Sequence, residues 1–137
     1  MKIKLDKGAF MPERAYENDA GYDLRAIEEG MIPAHSFKLF NTGVHIQLPK
    51  DTCGMMISKS GLNCYEGTHS TGLIDEGYTG AIKVALYNHT DSDKWIRRGD
   101  KISQIVIVPI LKPILAIVDE FDIESDRGNK GFGSSGR

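Results

Sequence analysis

At 137 residues the chain has the length of one domain with a real core, and not of two. Lys and Arg number 17 against 19 Asp and Glu, a formal charge of -2. That balance excludes the basic excess of a nucleic-acid-binding protein, while a free nucleotide, which needs only a few focused cations, stays open. Cys53 and Cys64 lack Cys-x-x-Cys spacing, so neither a zinc knuckle nor a redox pair is indicated. No stretch approaches the roughly 18 apolar residues of a membrane span, and Met1–Gly8 holds no apolar leader core. A cytoplasmic protein with reduced thiols, partnered by neither nucleic acid nor membrane, is the expectation.

Short apolar runs punctuated by Gly, Pro, Asn and Asp predict an all-β domain with little or no helix. Lys2–Leu5 is a first strand and Phe10–Asp19 a loop. In residues 20–26, Tyr22, Leu24 and Ala26 alternate with Asp23 and Arg25; Asp23 is there either a solvated strand residue or a functional one. Met31–Leu39 and Val44–Leu48 are expected to form a hairpin around Asn41-Thr42-Gly43, with His45 on the polar face as a solvated residue. Cys53–Ile57 is a further strand. It ends in Ser58-Lys59-Ser60-Gly61-Leu62, where hydroxyls, a cation and a glycine suit phosphate oxygens, or simply mark a polar strand-to-helix corner. Asn63–Thr71 offers one short helical turn or a loop.

In Gly72–Asn88 the second half alternates: Ile82, Val84 and Leu86 share one face, and Ala81, Lys83, Ala85 and Tyr87 the other. The first half sets Asp75, Glu76 and Tyr78 between glycines, so polar side chains sit where the backbone turns sharply and can approach a ligand closely. An ordinary surface turn has the same residues. After a polar turn at His89–Lys94, the chain passes through Arg98-Gly99-Asp100 into its most apolar segment. There Ile102, Val106, Val108 and Ile110 share a face with Gln104, and Ile105 and Ile107 occupy the other. A strand apolar on both faces needs a second covering surface, which implies an oligomer. Ile114–Ile123 is read as one more strand, completing a β domain of residues 1–125. Residues 126–137, with glycines at 128, 131, 133 and 136, cannot form a core. They read as a flexible Gly-rich arm, either simply disordered or able to close over a ligand with a Phe ring, an Arg and two Ser.

Five stretches taken together resemble the trimeric deoxyuridine triphosphate nucleotidohydrolases (dUTPases) over nearly the whole chain. They are Ala20-Gly21-Tyr22-Asp23-Leu24, Ser58-Lys59-Ser60-Gly61-Leu62, Gly72-Leu73-Ile74-Asp75 through Tyr78-Thr79-Gly80, Arg98-Gly99-Asp100-Lys101-Ile102-Ser103-Gln104, and the glycine-rich tail. The resemblance implies a jelly-roll-like β-sandwich or barrel assembling as a homotrimer. Each active site would take its first, second and fourth stretches from one subunit, the third from another and the tail from the remaining one. It also implies hydrolysis of dUTP to dUMP and pyrophosphate, which keeps uracil out of DNA and supplies dUMP for thymidylate synthesis.

By the same resemblance Asp75 is the general base for a water attacking the α-phosphorus. Gly72, Leu73, Ile74 and Lys83 read the uracil edge, and Tyr78 lies under the deoxyribose. Lys59, Ser60, Gly61 and Gln104 hold phosphates. Mg2+ is the implied cofactor on the triphosphate, with Asp23 reaching it through water. In the tail Phe132 stacks on the uracil, while Arg127, Gly133, Ser134 and Ser135 close on the γ-phosphate. Three departures stand out: Lys59 where the family usually has Arg, His69 where many members have an Asn at the uracil, and Lys130 within the tail. Glu76 is expected to be a surface residue. A dCTP deaminase relative, whose chemistry would need Glu76, fits the third stretch and the tail poorly. A dUTP-gated regulatory protein remains a possible second role.

Overall fold

The structure, a computed structural model, describes residues 1–123, 125 and 128–131. In chain order its elements are β1 (Lys2–Leu5), β2 (Gly21–Arg25), β3 (Gly30–Ile32), β4 (Phe37–Asn41), β5 (Val44–Gln47), β6 (Thr52–Ile57), α1 (Ser60–Tyr65), β7 (Thr68–Ile74), β8 (Lys83–Asn88), β9 (Lys94–Ile96) and β10 (Lys101–Pro109). A six-stranded antiparallel sheet runs β2-β10-β6-β7-β8-β4, and two ribbons, β1-β5 and β3-β9, complete the jelly-roll-like all-β fold. Leu24, Phe40, Val44, Val84, Leu86, Ile102 and Ile105 are fully buried in one core. Each such side chain contributes about 1.5–3 kcal/mol relative to exposure. The alternation read over β8 holds, since Ile82, Val84 and Leu86 all point inward.

Four expectations are corrected. The chain does turn at Asn41-Thr42-Gly43, where the Gly43 N–H donates to Asn41 Oδ1 at 2.9 Å and Gly43 has φ of 64°. But β4 pairs with β8 and β5 with β1, so the turn carries the chain from the large sheet to a ribbon instead of closing a hairpin. The positive φ and the bond from Thr42 Oγ1 to the Ile82 carbonyl at 2.7 Å redirect it.

The stretch 63–71 yields the end of α1 and most of the first half of β7. Its inward positions are the hydroxyls of Thr68 and Ser70, which carry no apolar periodicity. Ser70 is nevertheless buried, its Oγ donating to Ser103 Oγ at 2.9 Å.

In β10 the register shifts between Lys101 and Ser103. Strict alternation would separate Ile102 from Ile105, yet both lie in the core; the bulge inserts the extra residue that allows this. Finally, Ile114–Ile123 forms no strand. After the Ile110 N–H donates to the Asp51 carbonyl at 2.9 Å, the chain leaves the sheet. Ile114, Leu115, Ile117, Phe121 and Ile123 then lie exposed.

Candidate active site

β7 and β8 pair only over Thr68–Ser70 and Leu86–Asn88, whereas Gly72 and Leu73 pair with Met56 and Met55 of β6. The strands therefore part towards the tip. The gap forms a cavity of about 270 Å³ lined by Met56, Gly72, Leu73, Ile74, Asp75, Tyr78 and Lys83. A Cβ on Gly72 would stand 2.3 Å from Met56 Cε, the movable end of a flexible side chain, and one on Gly80, just outside the lining, would stand 2.5 Å from Tyr78 Oη and 2.6 Å from Tyr78 Cζ. Tyr78 closes the turn, its N–H donating to the Asp75 carbonyl at 3.0 Å and its Oη to the Ala81 carbonyl at 3.0 Å. Asp75 itself is exposed. Its carboxylate is thus presented at the cavity and not spent on an ion pair among the described residues.

Two contacts hold this tip. His45 bonds through Nδ1 to the Thr79 carbonyl at 2.8 Å and through Nε2 to Asp6 Oδ1 at 3.1 Å, tying the tip to the β1-β5 ribbon. Glu76 accepts from the Asp51 N–H at 3.0 Å and from the Lys112 ammonium. The Lys112 hydrogen bond, with that of the Asp51 amide, holds the Glu76 carboxyl below its usual pKa. Glu76 is therefore a structural anchor beside Asp75, not an idle surface residue.

A second cluster gathers at the other end of the sheet. Asp23 on β2 is opposite Gln104 on β10, which is opposite Ile57 on β6, so three strands bring the first, second and fourth sequence stretches together. Gln104 Nε2 donates to the Ser58 carbonyl at 3.2 Å. Ser58 Oγ in turn donates to the Ser70 carbonyl at 3.0 Å and accepts the Ser70 N–H at 2.9 Å. Asp23 takes the Lys59 ammonium on Oδ1 and the Lys101 ammonium on Oδ2, the latter at 2.6 Å. Burial alone would raise the Asp23 pKa, but the hydrogen bonds from Lys101 and Lys59 outweigh it and leave the carboxyl below its ordinary value. Ser60 and Gly61 open α1 just beyond Lys59.

Of the expected site residues, Gly72, Leu73, Ile74, Asp75, Tyr78 and Lys83 share the cavity. Lys59, Ser60, Gly61, Gln104 and Asp23 belong to the second cluster. His69 lines neither. Its ring stacks between Tyr87, at 5.0 Å, and His89, at 4.6 Å between centroids. Arg127, Phe132, Gly133, Ser134 and Ser135 lie outside the described residues.

A family model described as dUTPase matches residues 7–136. The chain belongs to the dUTPase family. It is 42% identical to a deoxyuridine 5'-triphosphate nucleotidohydrolase of Clostridium acetobutylicum, over 99% of this chain and 96% of that one. A Staphylococcus bacteriophage 80alpha dUTPase solved with dUPNHPP superposes with a TM-score of 0.94 at 33% identity, covering 99% of this chain and 98% of the other. A phage phi11 dUTPase mutant, described for its coordination of a structural Mg(II) ion, superposes with a TM-score of 0.82 at 28% identity over 89% and 98% of the two chains.

Three residues of this dUTPase-family chain escaped the sequence reading. His45, Glu76 and Lys101 all act through partners distant in sequence: Asp6, Lys112 and Asp23. For Lys101 a usable signal existed, a cation at the mouth of the most apolar strand, directly after Arg97-Arg98-Gly99-Asp100.

Proposed function

We propose that the chain hydrolyses dUTP to dUMP and pyrophosphate. The observation that carries this reading is the exposed Asp75 carboxylate on the rim of a cavity lined by Met56, Gly72, Leu73, Ile74, Tyr78 and Lys83. Backbone N–H and C=O groups of Gly72–Ile74 and Lys83 can match the donor and acceptor pattern of a uracil edge, and a narrow wall excludes a 5-methyl group by contact. Tyr78 under the sugar leaves no space for a 2′-hydroxyl. Asp75 takes a proton from the attacking water as its oxygen bonds to the α-phosphorus, and the bond to the pyrophosphate leaving group breaks. General-base help of this kind contributes about 10²–10⁴ in rate. Phe132 stacking on the base, with Arg127, Gly133, Ser134 and Ser135 on the γ-phosphate, would complete and dry the site.

The cavity and the lysine cluster share no residue, and in this reading they meet as shared sites of a homotrimer. On the outer face of the sheet Met55, Ile57 and Leu73 are exposed around half-buried Val106. The apolar run from Leu111 to Ile123 is exposed as well. Both need cover, and a second and third copy of the chain supply it.

Mg2+ enters this reading as part of the substrate, where it neutralises triphosphate charge and fixes the geometry of the leaving group. Asp23, each of whose oxygens accepts from one ammonium group and keeps a second lone pair, can still reach it through water as expected. No step depends on it here. The deaminase alternative loses its acid, because Glu76 is engaged by Lys112 and Asp51. A dUTP-gated regulatory role is a second reading. It is favoured by likeness to the 80alpha phage enzyme, whose published description is that phage dUTPases control transfer of virulence genes by a proto-oncogenic G protein-like mechanism.

The deciding experiment measures pyrophosphate release from dUTP, dCTP, dTTP, dATP and dGTP with and without Mg2+. Release confined to dUTP supports the proposal. Release from none of them, or conversion of dCTP to dUTP, refutes it.

A further inference from the structure

The usual second-stretch cation of the family is an arginine, whose planar fork presents paired donors to phosphate oxygens. Here Lys59 is a single ammonium. Yet it does not stand alone: Lys101 holds the other oxygen of the same carboxylate, so two ammonium groups sit side by side on Asp23. The carboxylate is the buried member of the trio, with its side chain 7% exposed, while Lys59 and Lys101 keep 28% and 35% of theirs in solvent. Each ammonium has three donors and gives one to Asp23, which leaves donors on both free to face a ligand. Two cations against one anion leave a net positive charge at the rim where Gln104, Ser58 and Ser60 also gather.

The local fold is arranged for this. In a regular strand Lys101 would share its face with Ser103 and Ile105, both fully buried. The register shift between Lys101 and Ser103 releases it from the core side and brings its ammonium to Asp23. Asp23 itself is pinned from both sides, by its pairing with Gln104 and by its N–H donating to the Glu13 carbonyl at 2.8 Å. Gly21 completes the arrangement. A Cβ there would stand 2.5 Å from Gln104 Oε1, so a side chain at this position would push that amide aside.

We propose that Lys101 is a triphosphate-binding residue acting together with Lys59, and that Asp23 is the positioning residue holding the two ammonium groups at a fixed separation. The pair would do with two lysines what one guanidinium fork does, and the ligand class is the phosphate oxygens of a nucleoside triphosphate. This rests on the dUTP reading above for the identity of the nucleotide, but not for the phosphate chemistry.

The test uses the full chain with Lys101→Met, Lys101→Arg and Asp23→Asn, reading KM and kcat for dUTP and the calorimetric affinity for inorganic tripolyphosphate. Loss of one charge-assisted contact predicts that Lys101→Met raises KM and weakens tripolyphosphate about tenfold or more with kcat little changed, and that Lys101→Arg restores most of both. Asp23→Asn makes the rim more positive. If Asp23 were only a competing anion, phosphate would bind tighter; a positioning role predicts weaker binding despite the added charge. Lys101→Met with KM and tripolyphosphate affinity within twofold of wild type overturns the proposal, and so does a loss that arginine fails to rescue. Should wild type turn over no dUTP yet bind tripolyphosphate through Lys101, the nucleotide reading fails and the phosphate site stands.

Discussion

The two ends of the candidate site are built by opposite means. At the tip of β7 and β8 the working surface is backbone, freed by Gly72 and Gly80 and framed by Tyr78, with its one acid exposed. At the β2-β10-β6 end the working groups are long side chains held by a buried carboxylate on β2, the edge strand of the sheet. Backbone suits a flat, neutral, directional ligand edge, where the chain's own donors and acceptors supply the pattern and a small steric change is felt at once. Ammonium groups suit a diffuse polyanion, for which charge and reach count for more than direction. The acids differ accordingly. Asp75 stands exposed, whereas Asp23 is buried and paired with two ammonium groups.

This contrast can be broken at either end. The largest effect is expected from Asp75→Asn, which removes the base while leaving shape and contacts in place: turnover should fall about 10²–10⁴-fold with dUTP affinity kept, by single-turnover assay and calorimetry. Next comes Gly80→Ala. The new methyl must displace the Tyr78 ring, and overpacking of this kind costs about 1–2 kcal/mol, or five- to thirtyfold in kcat/KM. Preference for dUTP over UTP should fall with it, as the proposed place of the ring under the sugar requires.

A smaller effect separates the acids by pH. The Asp23 pKa is lowered in the fold, with its hydrogen bonds to Lys101 and Lys59 overcoming burial. Its pairing therefore stabilises the protein above the unfolded carboxylate value, about pH 4, and that stability is lost as pH falls through the lower folded value. Thermal melts of Asp23→Asn should show a weaker dependence between about pH 5 and 3 than wild type. The smallest effect is expected of Glu76→Gln. Its anchor is exposed to solvent screening, so steady-state turnover should drop by no more than about threefold.

Much of the fold was legible because burial writes a clean period into β8 and because turn residues separate the other short apolar runs. What was lost had physical causes of three kinds. β7 buries Thr68 and Ser70, hydroxyls satisfied by the Leu62 carbonyl and by Ser103, so its inward face carries no apolar signal. The bulge in β10 shifts the phase between Ile102 and Ile105, and nothing in the residue types announces it. The Asn41-Thr42-Gly43 turn has hairpin chemistry but joins strands of different sheets, which depends on where Phe40 and Val44 meet the core and not on the turn residues. At the site, the glycines and acids of the tip could be read directly because one short stretch holds them. The Lys59-Asp23-Lys101 trio spans three strands, and spacing along the chain says nothing about it.

The central claim is that the base end and the phosphate end of a working site come from different subunits. Mixing inactive Asp75→Asn chains with chains carrying both Lys59→Met and Lys101→Met, after joint unfolding and reassembly, tests it most directly. In random trimers a site needs an intact Asp75 from one neighbour and intact lysines from the next, so about a quarter of wild-type activity should return. Recovery of that order is the predicted result. A mixture no more active than its parents, with both variants shown to assemble together, would contradict the shared site.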